Sequence, residues 1–156
     1  MARRLTHPKS LLATALAAAA ACTTLMAGTA NAVPVPRPLC TITYPDPAQP
    51  TRAEHSVVTT APSGTGSTTF KFHTLSTTRA AYNQDARVTW ANLDTGLSGG
   101  GWDSTSSASV DLGYTQITLP VQTVGKGRIT VVASVSNTAP NGWTSYYDCV
   151  SEYTAR

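Results

Sequence analysis

The sequence predicts an all-β protein, an antiparallel β-sandwich of seven to eight short strands, and three observations carry that prediction. Residues 33–156 are rich in Thr, Ser, Val and Tyr and poor in Leu, and β-branched or aromatic side chains pack best on a pleated, half-buried surface. Alternating apolar and polar runs recur there, with turn signals about every 8 to 12 residues, the spacing of a sandwich. Beyond residue 32 no window shows an amphipathic helical repeat of useful length. A small β-barrel is the alternative architecture. The three Trp and six Tyr, all after residue 33, argue against disorder, which is poor in aromatics.

Residues 1–32 read as a secretory signal. Arg3, Arg4 and Lys9 make a basic start, residues 11–21 form an apolar run, and Ala30-Asn31-Ala32 supplies the small residues that a signal peptidase reads, with cleavage before Val33. The apolar run is too short to span a bilayer, and no later stretch approaches the roughly 20 apolar residues of a transmembrane helix. The expected location is therefore secreted or extracellular, with attachment to the cell envelope compatible. Cys22, preceded by Ala19-Ala20-Ala21, gives a minority reading as the lipidated cysteine of a lipoprotein.

Removing the signal leaves 156 − 32 = 124 residues, enough for one domain with one core. Arg3, Arg4 and Lys9 are three of the 11 basic residues, and all 8 acidic residues follow residue 33, so the remaining chain carries 8 of each sign. It is neutral and has no run of Lys and Arg. That argues against nucleic acid as a partner, because such binding needs a basic patch on the folded domain.

The alternating prolines of Val33-Pro34-Val35-Pro36-Arg37-Pro38 predict an extended arm over residues 33–38 that supplies no regular ladder of donors. The domain proper then covers residues 39–156. A first strand at 39–44 puts Cys40, Ile42 and Tyr44 on one face. Strands at 54–61, 68–75 and 87–93 follow, the second alternating Phe70 and Phe72 against Lys71 and His73. The second half adds strands at 108–112, 114–121, 128–136 and 143–153. Residues 62–66 and 92–96 carry the Gly, Asn and Asp of turns, and Gly125-Lys126-Gly127 and Pro140-Asn141-Gly142 read as hairpin turns.

Cys40 and Cys149 are the two cysteines outside the signal, and in an exported domain they most simply form one disulfide. Such a bond ties the first strand to the last. Tyr147-Asp148-Cys149 resembles the Tyr-x-Cys of an immunoglobulin F strand, and an immunoglobulin-like arrangement is the default among sandwiches. The resemblance covers three residues. No Trp follows Cys40 at the short immunoglobulin distance, and only seven residues follow Cys149, so the disulfide reads as terminal and not as a central pin between sheets.

No catalytic constellation emerges. Glu54, His55 and Ser56 are adjacent, but neighbouring strand residues point to opposite faces, which is unsuited to a triad, and there is no Gly-x-Ser-x-Gly elbow. They read as an exposed strand-edge cluster. His73 falls on the solvent side of its strand. Two histidines without an acidic cluster make a poor metal site, and no metal or cofactor is expected. Asp94-Thr95-Gly96 has the letters of an aspartic-protease motif but suits an ordinary turn. The eight carboxylates are scattered, although a glycosidase-like pair could meet in space.

The candidate contact residues are Trp102, Asp103 and Tyr146. Residues 98–107 read as a polar loop, mobile through Gly99-Gly100-Gly101, in which Trp102 either folds back to cap the sandwich, the favoured reading, or projects as a binding tip beside Asp103. With Trp143 and Tyr147 on the Cys149 face, Tyr146 points outward with Asp148 and Glu152. The leading functional expectation is an exported, non-catalytic module that binds, adheres or associates with the envelope, its partner an extracellular protein or a glycan. Carbohydrate binding through Trp102 and Tyr146 is the first alternative. A secreted enzyme inhibitor presenting residues 98–107 is the second.

Overall fold

The structure is a computed structural model that describes residues 35–156. The signal segment, its cleavage point and Cys22 lie outside the described residues, as do the first two residues of the arm. Among the described residues nine strands run in chain order: β1 (Arg37–Pro45), β2 (Ala53–Gly64), β3 (Ser67–Ser76), β4 (Tyr82–Asn92), β5 (Ser98–Val110), β6 (Gly113–Thr118), β7 (Gln122–Thr123), β8 (Gly127–Thr138) and β9 (Thr144–Ala155). All pairings are antiparallel.

The strands form two sheets, and the sandwich expected from the sequence is what folds. Sheet A has the order β1-β2-β3-β6, with β7 also on β3, and sheet B has the order β5-β4-β8-β9. β6 and β7 continue one another along the same edge of β3. Pro120, which has no N–H for a ladder, lies in the gap between them, while the Leu119 N–H still reaches the Phe70 carbonyl at 3.0 Å.

Three local expectations need correction. Arg37 and Pro38 of the expected arm already pair with Thr60 and Thr59, so the arm ends inside β1. Residues 98–107 are not a mobile loop but most of β5. Gly125-Lys126-Gly127 is not a hairpin turn: it carries the chain from β7 in sheet A to β8 in sheet B. Asn92 holds that crossing in place. Its Nδ2 donates to the carbonyls of Val124 and Lys126 at 2.9 Å, while its Oδ1 accepts the Asp94 and Thr95 N–H groups at 3.0 and 3.1 Å. One side chain therefore closes the β4–β5 turn and docks the connection between sheets.

Inward-facing residues of both sheets make the core. Val58, Phe70 and Phe72 from sheet A meet Ala86, Val88, Ile129 and Ala133 from sheet B, all fully buried. Near one end the interior becomes polar. Gln84, with no exposure, donates through Nε2 to Tyr44 Oη and Asn137 Oδ1 at 2.9 Å and accepts Thr74 Oγ1 at 2.9 Å. Tyr44 Oη also bonds Tyr82 Oη at 3.0 Å and Ser56 Oγ at 3.1 Å. Burial, then the neighbouring Tyr44, raises the Tyr82 phenol far above its ordinary value, so it stays a neutral partner. The network joins residues of five strands across both sheets, and hydrogen bonding is what makes such burial tolerable.

The Cys40–Cys149 disulfide forms as expected, with a Cα–Cα distance of 6.2 Å. β1 is an edge of sheet A and β9 an edge of sheet B, so the bond closes one seam of the sandwich. Ser151 Oγ adds a hydrogen bond across the same seam, to the Leu39 carbonyl at 3.0 Å.

Candidate functional site

The outer face of sheet B carries a groove of about 460 Å³. Its floor follows from strand register. One row across the sheet runs Ser107, Asp85, Ser136, Tyr146, and the next runs Thr105, Arg87, Ser134, Asp148. Small hydroxyl side chains at Ser134 and Ser136 keep the middle low, and Tyr146, 73% exposed, rises at the β9 edge. Trp102, 84% exposed, rises from β5 at the opposite edge. Three strand spacings separate those edges, about 14 Å.

Trp102 owes its position to a bulge. Arg87 pairs with Thr105 and Thr89 pairs with Gly100, so β4 has Val88 alone where β5 has residues 101–104. The surplus residues leave the ladder and project Trp102 and Asp103 outward, the usual effect of a bulge at a sheet edge. The glycines make this geometry accessible. Gly100 has φ 89°, and a Cβ there would collide with the Val88 carbonyl oxygen. At Gly99 a Cβ would come within 2.8 Å of the Trp90 ring. The triple glycine therefore serves close packing and a sharp bulge, not mobility.

Trp102 does not cap the sandwich. The Arg87 guanidinium lies 5.0 Å from the centre of its ring, within reach of a cation–π attraction. In the adjacent row of the same two strands, Ser107 Oγ donates to Asp85. The structure thus brings Trp102 and Tyr146 to one groove and leaves Asp103, exposed on the bulge, outside its lining. From the sequence, Tyr146, Asp148 and Glu152 fall together on the outer face of β9, whereas Arg87 reads only as the polar side of its strand and Asp85 only as one of the scattered carboxylates. Their outward parity was legible on each strand. The adjacency of β4, β8 and β9 was not.

Other singled-out residues lie elsewhere. Glu54 and Ser56 are not an exposed cluster: both are buried on the inner face, Glu54 accepting the Thr77 N–H at 3.2 Å and Ser56 bonding Thr74 Oγ1 at 2.7 Å. His55 points the other way, to Thr43 Oγ1 at 3.0 Å. His73 lies on the outer face of sheet A, stacked on Tyr114 and bonded to Tyr114 Oη and Thr59 Oγ1. Partial burial, and then the Lys71 charge, hold its imidazole below the ordinary histidine value. Asp94 is a turn residue whose carboxylate takes the Arg128 N–H and Nε at 2.9 and 3.2 Å; those bonds lower its pKa. Tyr147 packs against the core, whereas Trp143 precedes β9 and is 48% exposed. Among the described residues no three His, Cys, Asp or Glu side chains come together as metal ligands, and no helix is long and apolar enough to cross a membrane.

Compared with protein-family models and with curated proteins, the chain matches none.

Proposed function

We propose that this is an exported, non-catalytic binding module that takes carbohydrate in the groove between Trp102 and Tyr146. The observation that carries this reading is the pairing of two exposed aromatic side chains across a floor of hydroxyls and carboxylates on one sheet face. Sugar rings offer apolar faces to aromatics and hydroxyls to Ser, Asp and Arg, so such a groove meets both halves of their chemistry. The disulfide supports an oxidising, extracellular setting for the protein.

The connectivity also supports an immunoglobulin-like reading of the sandwich. β2, β3 and β6–β7 follow the A, B, E order of one sheet, and β5, β4, β8 and β9 follow C′, C, F, G in the other. In this correspondence β1 is an addition outside strand A. Tyr147-Asp148-Cys149 then falls on the G strand and not on F, which accounts for a disulfide at the seam. The inhibitor reading is left with only the bulged residues 101–104 to present, since 98–100 and 105–107 pair with β4.

A glycan array probed with the purified protein, followed by titration of the strongest hits, tests the proposal. Binding should be lost in Trp102→Ala and in Tyr146→Ala. Absence of binding to every glycan would overturn it in favour of a protein partner, sought by pull-down from the native extracellular medium. Release of shortened glycan would replace it with a hydrolase, since Asp85 and Asp148 share the groove.

A further inference from the structure

The charges of the groove point beyond carbohydrate in general to one class of sugar, an inference that rests on the carbohydrate reading above. Three charged side chains line it: Asp85, Asp148 and Arg87. Arg87 is the lone cation among them, and its guanidinium is turned to the Trp102 ring. Neither carboxylate has a Lys, Arg or His nitrogen within 4.0 Å among the described residues, where Arg128–Asp94 is the single ion pair. Asp85 takes one hydroxyl, from Ser107. Asp148 is exposed, with no side-chain hydrogen bond among the described residues. Asp103 and Glu152, also exposed, extend the negative field past the groove.

We propose that the groove selects glycans carrying a protonated amine, the chemistry of a deacylated amino sugar. An ammonium group set against either Asp85 or Asp148, which lie two strands and one row apart, gains charge-assisted hydrogen bonds that a neutral sugar does not offer. The exposed face of Tyr146 adds attraction for the same cation. Acidic glycans meet two carboxylates against the single cation Arg87, whose guanidinium is stacked on Trp102 and paired with neither carboxylate, and are disfavoured.

The test compares a β-1,4-linked glucosamine hexamer with its fully N-acetylated counterpart, by calorimetric titration at low salt. The deacylated hexamer should bind about tenfold tighter, the size expected of two exposed ion pairs. That advantage should shrink at high salt and as rising pH removes the amine proton. Asp85→Asn and Asp148→Asn should bring the two hexamers to equal affinity, whatever loss is common to both, with unchanged thermal midpoints. Equal affinity for the two hexamers, or an advantage that survives both substitutions, overturns the inference and leaves carbohydrate binding standing. Binding of neither hexamer nor any other glycan removes the carbohydrate reading itself. A six-residue lysine peptide bound as tightly as the glucosamine hexamer overturns the requirement for a sugar.

Discussion

Arg87 and Trp102 are neighbours only because β5 bulges: the guanidinium sits 5.0 Å from the ring centre, on a pair of strands whose register is broken opposite Val88. The indole is presented at the rim of the groove and contributes little to the fold. Trp102→Ala should therefore cost at most about 1 kcal/mol of stability, the scale of an exposed cation–π contact. Thermal unfolding of the variant should nearly superpose on the wild type while glycan binding disappears; a large drop in midpoint would show that Trp102 supports the core.

The bulge depends on Gly100 more than on Gly101. A Cβ at Gly100 meets the Val88 carbonyl as well as an unfavourable φ, whereas Gly101, with φ 73°, has open space around it. Gly100→Ala should lose at least about 2 kcal/mol, and Gly101→Ala about 1 kcal/mol. Urea unfolding of the two variants side by side checks the ranking, and equal losses would contradict the geometry.

Gln84 is the centre of the buried polar network. Gln84→Leu keeps much of the volume but strands Tyr44, Thr74 and Asn137 without their shared partner, and unpaired buried groups are costly. The expected loss is about 3 kcal/mol or more, read from denaturant midpoints. A neutral result would mean that the remaining hydroxyls re-pair without it.

His73 gives the fold a defined response to acid. Its pKa in the folded protein lies below the ordinary value of 6.5, so the unfolded chain binds the proton more readily. The contribution of the neutral ring to stability is complete above pH 6.5 and declines as the pH falls through that value towards the lower folded pKa. Unfolding midpoints measured between pH 7.5 and pH 5 should fall in the wild type and fall less in His73→Gln. Parallel profiles would place the acid response at another group.

These tests also mark where sequence reasoning stops. The alternation of Phe70 and Phe72 with Lys71 and His73, or of Ile129, Val131, Ala133 and Val135 with their neighbours, made strands and their buried faces legible, because burial on one face imposes a period of two. Cys40 and Cys149 were legible as a pair. The bulge was not, since Gly99-Gly100-Gly101 reads as looseness until Val88 and Trp90 are seen pressing on it. Nor was the crossing at Gly125-Lys126-Gly127, which has the composition of a hairpin and is set instead by Asn92, more than 30 residues earlier. The groove is a matter of strand order, and local pattern does not encode which strands become neighbours.

Reduction of the disulfide should lower stability by about 4 to 5 kcal/mol in the chain-entropy model, given the 109-residue separation it closes. A reductant titration of the unfolding midpoint, with the Cys40→Ser, Cys149→Ser pair as control, measures it.

The same bond has a mechanical meaning. Tension applied to the two ends of the domain enters at Cys40 and leaves at Cys149, so the load runs through one covalent link and bypasses the strands between them. Stretching can extend only the short segments outside that link. A protein anchored by one end and gripped at the other would hold its groove undistorted under pull for as long as the cystine stays oxidised.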